Sequence, residues 1–271
     1  MTPVPVAEPV FEGDLLDARL WLPNSAAKTL YVTFRQRVAD PGQFSDQGPG
    51  QRALAAGLAH LHIQTRWNDW YLNAETAALE SALAALRLRF DTARAVGYSM
   101  GGYAALRFSA ALALDQALVI SPQFTLDSRI IPEERRYPEA RRFDAVLGDL
   151  ATFAKPDLNG VVLFDPSRRL DRLNAERIAT VLPGMALARC AFGGHPATAA
   201  LRDAGGFRQL QVLGQNAPLR AGDVIGLHRR LRARSLHYWH HRAEACLNRG
   251  RLAEAEAALS RAEALGDGAG D

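Results

Sequence analysis

Cysteine is nearly absent from this chain of 271 residues: Cys190 and Cys246 are the only two. They lie in separate segments, which argues against a disulfide framework or a cysteine zinc site. Lysine also occurs only twice, at Lys28 and Lys155, so positive charge is carried almost wholly by arginines spread along the chain. With a net charge of +3 and a pI near 9.1, no dedicated nucleic-acid face is expected. Long apolar runs are missing too, none approaching the roughly 20 residues that cross a bilayer. The opening MTPVPVAEPVFEGDLL lacks the basic region and apolar run of a secretory signal. The expectation is a soluble, cytoplasmic protein. What remains is ordinary globular composition, 48% hydrophobic and 23% charged, long enough for one large domain with a small appendage.

The most informative stretch is Ala95-Val96-Gly97-Tyr98-Ser99-Met100-Gly101-Gly102-Tyr103-Ala104-Ala105. Residues 92–98 read as a buried strand and 100–112 as a helix, so Gly-x-Ser-x-Gly falls on a strand-to-helix turn. A serine hydroxyl is a weak nucleophile and needs a base, an exposed position and amide donors for an oxyanion. Such a turn offers all three. The Met100 N–H would stand at the helix N-terminus, facing the developing charge.

Along the chain, residues 17–23 and 29–36 read as strands, the second central. The loop after it would give a second oxyanion amide, from Phe34 or Arg35. Residues 51–58 form a short helix and 60–65 a strand running into Arg66-Trp67-Asn68-Asp69-Trp70-Tyr71. Ligands of open α/β sheets bind beyond the strands' carboxyl ends, which makes Asn68, Trp70, Tyr71 and, beside the serine, Tyr98 candidates for substrate binding. Helix 74–89 carries leucines at 79, 83, 86 and 88 on one side. Strand 116–120 leads to Ser121-Pro122-Gln123, and residues 124–158 break the pattern as a cap or lid insertion. Its arginines 135, 136, 141 and 142 interleave with Glu133, Glu134, Glu139 and Asp144, as on a mutually paired, solvated face.

Strand 160–164 ends at Asp165-Pro166, and a last strand, 186–192, is followed by Gly193-Gly194-His195-Pro196. His195 is the candidate base, oriented by a carboxylate. Asp165 stands at the strand end and is favoured for that role. Asp171 is the alternative, with a competing reading as the N-cap of helix 172–181.

With these three elements, residues 10–215 resemble the α/β-hydrolase superfamily. Gly97-Tyr98-Ser99-Met100-Gly101-Gly102-Tyr103-Ala104-Ala105-Leu106, Ser121-Pro122-Gln123 and Asn68-Asp69-Trp70-Tyr71 look like a bacterial group within it. That group is similar to the hydrolase-like accessory secretion protein of Gram-positive bacteria, which acts on carbohydrate attached to exported adhesins. The resemblance implies an α/β fold with a mostly parallel central sheet flanked by helices. It also implies ester, thioester or amide hydrolysis, or acyl transfer, with no metal or organic cofactor. The expected substrate is a small-molecule or carbohydrate-linked acyl group.

Residues 236–267 look like one tetratricopeptide repeat, with Trp239, Gly250, Ala255, Leu259 and Ala262 at the motif's spacing. The segment departs from the motif at Arg242, Ala243 and Cys246. One repeat cannot bury its own face, which points to packing on the main domain, to self-association or to a protein partner through 236–265. His237, His240 and His241 read as surface and packing residues rather than metal ligands. The expected division is a hydrolase domain over 1–225, with 124–158 inserted, a helical hairpin over 226–265 and a disordered tail over 266–271. The leading function is a serine esterase, and the alternatives are an acyltransferase or a non-catalytic interaction protein on the same fold.

Overall fold

The computed structural model describes residues 6–267. Its strands are β1 (Glu8–Glu12), β2 (Leu16–Trp21), β3 (Thr29–Phe34), β4 (Ala59–Thr65), β5 (Thr92–Tyr98), β6 (Gln116–Ile120), β7 (Asn159–Phe164) and β8 (Met185–Arg189). The helices are α1 (Gln51–Ala55), α2 (Thr76–Arg87), α3 (Met100–Arg107), α4 (Leu150–Phe153), α5 (Arg169–Val181) and α6 (Ala199–Asp203). They continue with α7 (Phe207–Gln215), α8 (Ala221–Leu231), α9 (Leu236–Leu247) and α10 (Leu252–Asp267).

One sheet runs in the order β1-β2-β4-β3-β5-β6-β7-β8. β2 pairs antiparallel with β1 and β4, and every later neighbour is parallel. Every residue of β4 and β6 is buried, which is why these strands read as continuous runs: a parallel sheet is covered on both faces. Residues alternate between two apolar layers, with Val32, Ala95 and Val119 in one and Tyr31, Val96 and Leu118 in the other. In α2 the stripe Leu79, Leu83 and Leu86 is buried, each leucine contributing about 1.5–3 kcal/mol. Leu88, expected on that side, is the helix's C-cap and is exposed.

The antiparallel edge strand β1 gave no signal in the sequence, where Pro9 and flanking glutamates obscure the alternation. The expected boundary at 225 falls inside α8, whose Val224 and Leu227 are buried with Val161, Leu163 and Ala188. The hairpin proper is α9 and α10, turning at Gly250 with φ of 71°. Ala243 and Cys246 of α9 and Ala255, Ala258 and Ala262 of α10 are buried, while Leu259 is exposed. Of the expected disordered tail, Gly266 and Asp267 belong to α10 and the rest lies outside the described residues.

A buried polar relay joins β3 and β4. The Gly50 N–H donates to His60 Nδ1 (2.8 Å), so His60 Nε2–H donates to Thr33 Oγ1 (2.8 Å), and the Thr33 hydroxyl donates to His62 Nδ1 (2.9 Å). Both rings are therefore neutral. Burial, reinforced by His62, lowers the pKa of His60 from 6.5 to about 3. Burial, reinforced by Arg35, lowers that of His62 to about 4. Between these values and 6.5 the unfolded chain binds more protons than the folded one. The stabilisation is complete above pH 6.5 and declines as pH falls toward 4, by about 1.4 kcal/mol per pH unit per histidine. Urea midpoints taken between pH 7.5 and 5 are expected to fall accordingly, and His62→Gln to flatten the decline. A flat wild-type profile would contradict the neutral relay.

Candidate active site

Ser99 stands alone between β5 and α3, at φ 49° and ψ −119°. This region of backbone space costs a non-glycine residue of order 1–3 kcal/mol, and it persists where the surroundings fix it. Here the Ser99 N–H donates to the Ile120 carbonyl of β6 (2.8 Å), and its carbonyl accepts from the N–H groups of Gly102 (2.9 Å) and Tyr103 (3.0 Å). The side chain is thereby turned off the carboxyl end of the sheet.

The loop after β8 brings His195 to it, with Ser99 Oγ 3.2 Å from His195 Nε2. On the other side of the ring, His195 Nδ1 is 2.9 Å from Asp171 Oδ2. With Nδ1–H donating to the carboxylate, Nε2 keeps its lone pair toward the serine. Asp171 is buried in the first turn of α5, and its Oδ1 accepts from Arg136 Nη1 (2.6 Å). Burial works to raise its pKa, but the hydrogen bond and charge of His195 and the charge of Arg136 prevail and hold it below 3.8.

Asp165, favoured from the sequence, is not the carboxylate at the ring. Its oxygens accept from the N–H groups of Phe192 (3.0 Å) and Gly194 (3.0 Å), and from the N–H (2.9 Å) and hydroxyl (2.6 Å) of Ser167. It shapes the loop that carries His195 rather than facing the imidazole. The hairpin supports the same loop from behind, where the Tyr238 ring meets Phe192 at 5.6 Å.

The other expected site residues divide. Met100 N–H donates to no acceptor among the described residues and lies at the start of α3. Phe34 is still in the ladder opposite Ile63, and the Arg35 N–H donates to the Ile63 carbonyl (2.9 Å), which takes that amide out of the expected role. The Arg35 guanidinium instead donates to the Gln43 carbonyl (2.7 Å). Asn68 clamps the covering loop, its side chain bonding both the N–H (3.0 Å) and the carbonyl (2.8 Å) of Val38. Tyr71 is fully buried, with its hydroxyl donating to the carbonyls of Arg35 (2.8 Å) and Ile63 (3.1 Å). Tyr98 packs against Phe207 in the opposite apolar layer. Of the four residues expected to bind substrate, only Trp70 reaches the serine's surroundings, by way of Tyr137, whose ring it meets at 4.9 Å.

Tyr137 has no role in the sequence reading, and Gln123 enters it only within Ser121-Pro122-Gln123, as part of the resemblance and not as a site residue. The Tyr137 hydroxyl lies 3.2 Å from His195 Nε2 and accepts from Gln123 Nε2 (3.0 Å), which is itself 3.5 Å from Ser99 Oγ. Burial raises the Tyr137 pKa. The insertion that carries it is anchored from below by α3, where Tyr103 donates to the Gly148 carbonyl (2.8 Å) and Arg107 to that of Leu147 (2.7 Å). It is tied to the 37–50 loop by Arg37 and Glu139 (2.8 Å). The expected solvated face of paired charges is partly internal, since Arg136 bridges Asp171 and the buried Glu134 (2.6 Å). Ser99 is consequently only 6% exposed.

No protein-family model and no curated protein matches the chain in sequence. Among solved structures it is similar to the capsule O-acetyltransferase of Neisseria meningitidis serogroup A, at 16% identity and a TM-score of 0.53, covering 76% of this chain and 93% of that one. A mutant of that enzyme in complex with CoA aligns at 15% identity and a TM-score of 0.52, over 75% and 94% of the two chains. Esterase 2 of Thermogutta terrifontis aligns at 12% identity and a TM-score of 0.48, over 80% and 98%. The fold is the α/β-hydrolase fold, and no helix of the described residues is long and apolar enough to cross a membrane.

Proposed function

We propose that this chain is a serine hydrolase of esterase type working through an acyl-enzyme, with Ser99 as nucleophile, His195 as general base and then acid, and Asp171 as the orienting carboxylate. The observation that carries the reading is the hydrogen-bonded line from Ser99 Oγ through both ring nitrogens of His195 to Asp171, beginning at a serine held at positive φ. As Ser99 Oγ attacks an acyl carbon, its proton passes to His195 Nε2, and Asp171 stabilises the imidazolium. The Met100 N–H meets the oxyanion. A second donor comes from Gln36 or Arg37, the first amides beyond β3 that donate to no acceptor among the described residues. His195 then protonates the leaving oxygen. Water completes the cycle by hydrolysis. A hydroxyl acceptor completes it as acyl transfer, the reaction named for the capsule O-acetyltransferase that shares the fold. The substrate class is an oxygen ester on a small molecule or carbohydrate.

Labelling with a fluorophosphonate tests the reading. The adduct is expected on Ser99, with loss in Ser99→Ala and His195→Ala and mapping by mass spectrometry. Folded wild-type protein that takes no label would overturn it in favour of a non-catalytic interaction protein.

A further inference from the structure

The hydroxyl of Tyr137 occupies a place that the chemistry reserves for a substrate oxygen. His195 Nδ1 faces Asp171, so Nε2 offers one lone pair, yet two hydroxyls approach it at 3.2 Å, those of Ser99 and Tyr137. The direction of the second contact is fixed by Gln123. Its Nε2 donates to the Ser121 carbonyl (3.3 Å), which requires the amide nitrogen on that side, and also to the Tyr137 oxygen (3.0 Å). Tyr137 thus accepts from Gln123 and turns its own proton to His195. A leaving or attacking alcohol oxygen needs the same surroundings. It must lie within reach of Nε2, which gives or takes its proton, and beside the serine oxygen that is bonded to the acyl carbon. Gln123 is wholly buried, and its Oε1 has no partner among the described residues. With one N–H on the Ser121 carbonyl, the other faces the Tyr137 oxygen and Ser99 Oγ (3.5 Å), so this buried amide is placed to hold an oxygen beside the nucleophile and the base.

We infer that Gln123 Nε2 and His195 Nε2 form the alcohol-oxygen subsite of the enzyme, and that Tyr137 fills it in the resting state. The inference rests on the Ser99–His195 reading and extends it. In acylation the carbon–oxygen bond to the leaving alcohol breaks while that oxygen takes the proton from His195 Nε2–H and is held by Gln123. In deacylation an incoming water or alcohol occupies the same place and gives its proton to Nε2. Its oxygen bonds to the acyl carbon, and Ser99 Oγ departs and recovers a proton. Tyr137 must withdraw first. Its withdrawal uncovers the side of Trp70 that the Tyr137 ring now meets, so a ring-borne hydroxyl, as on a sugar, matches what is displaced.

The test compares two acetate esters on Gln123→Leu, which keeps the bulk and removes the donor. Ethoxide leaves only with a proton, whereas p-nitrophenolate leaves without one. The variant's loss of kcat/KM is expected to be about tenfold greater for ethyl than for p-nitrophenyl acetate, the size of one hydrogen bond to the poorer leaving oxygen. Equal losses, or none, overturn the subsite while the p-nitrophenyl reaction of wild-type enzyme still reports the acyl-enzyme separately. Tyr137→Phe supplies an arm that does not depend on the folding of the first variant. It removes the stand-in hydroxyl and is expected to raise turnover of both esters severalfold, and a fall would overturn the stand-in role.

Discussion

Asp171→Asn is expected to leave the protein folded and to lower kcat by about 10⁴-fold, the scale on which an orienting carboxylate is lost from a triad. An asparagine at 171 can place its amide nitrogen toward His195, which selects the wrong tautomer and leaves no lone pair for Ser99. The fold survives because Arg136 keeps its second partner, Glu134. Asp165→Asn has the opposite profile. Four donors converge on that carboxylate, three of them on Oδ1, and an amide that keeps its oxygen there turns its nitrogen to the buried Gly194 N–H and leaves it unpaired, at about 1–3 kcal/mol. Its melting temperature should drop while fluorophosphonate still labels Ser99. Measuring kcat on p-nitrophenyl acetate beside thermal unfolding separates the two variants. A larger kcat loss at 165 than at 171, with unchanged stability, would return the acid's role to Asp165.

The contrast between these two aspartates shows what the sequence made legible and what it did not. Strands β5 and β6 lie where residue type and run length place them, and Ser99 follows β5 directly; β8 ends at Arg189 rather than at 192, so His195 stands on a loop six residues beyond its strand. The carboxylate at the His195 ring depends on where α5 begins. Read as starting at 172, the helix makes Asp171 a cap; starting at Arg169, it puts Asp171 on one stripe with Asn174, Ala175 and Ile178, all buried. That i, i+3, i+4, i+7 spacing was visible, and a carboxylate on a helix's buried stripe is itself a sign of a partner. Tyr137 left no such sign. It lies in an irregular insertion whose path depends on contacts far away in sequence, Arg37 with Glu139 and Arg107 with Leu147, and no periodicity encodes those. The cluster at 67–71 lies beyond the carboxyl end of β4, as its pattern implies, but hydrogen bonds to the backbone of the 37–50 loop and of Arg35 engage Asn68 and Tyr71 as supports, and residue type alone does not encode those contacts.

Gly97→Ala is expected to damage the protein severely. Gly97 has no unusual φ; what matters is its missing side chain. A Cβ there would stand 2.2 Å from the Gly101 carbonyl oxygen and 2.7 Å from the Gly102 Cα. Both are backbone atoms of α3, so no rotamer change relieves the clash, and the helix must move off the sheet. That movement strikes a second close contact, because Gly101 already lies against the carbonyls of Phe34 and Arg35. The methyl therefore separates α3 from β5 and β3 together, in the layer where Tyr103, Ala104 and Leu106 are fully buried. Overpacking of this kind, against backbone on two strands, is expected to cost at least about 4 kcal/mol, beyond the usual range for a single methyl. Gly222→Ala is the matched control. It lies in α8 with nothing within 4 Å of its Cβ position, and it should be neutral or stabilise by about 0.5–1 kcal/mol. Urea unfolding of the two variants measures the difference, and a Gly97→Ala protein with the wild-type midpoint would refute the close crossing. Because the same crossing sets the φ of Ser99, any Gly97→Ala protein recovered in folded form should have lost fluorophosphonate labelling before it loses secondary structure.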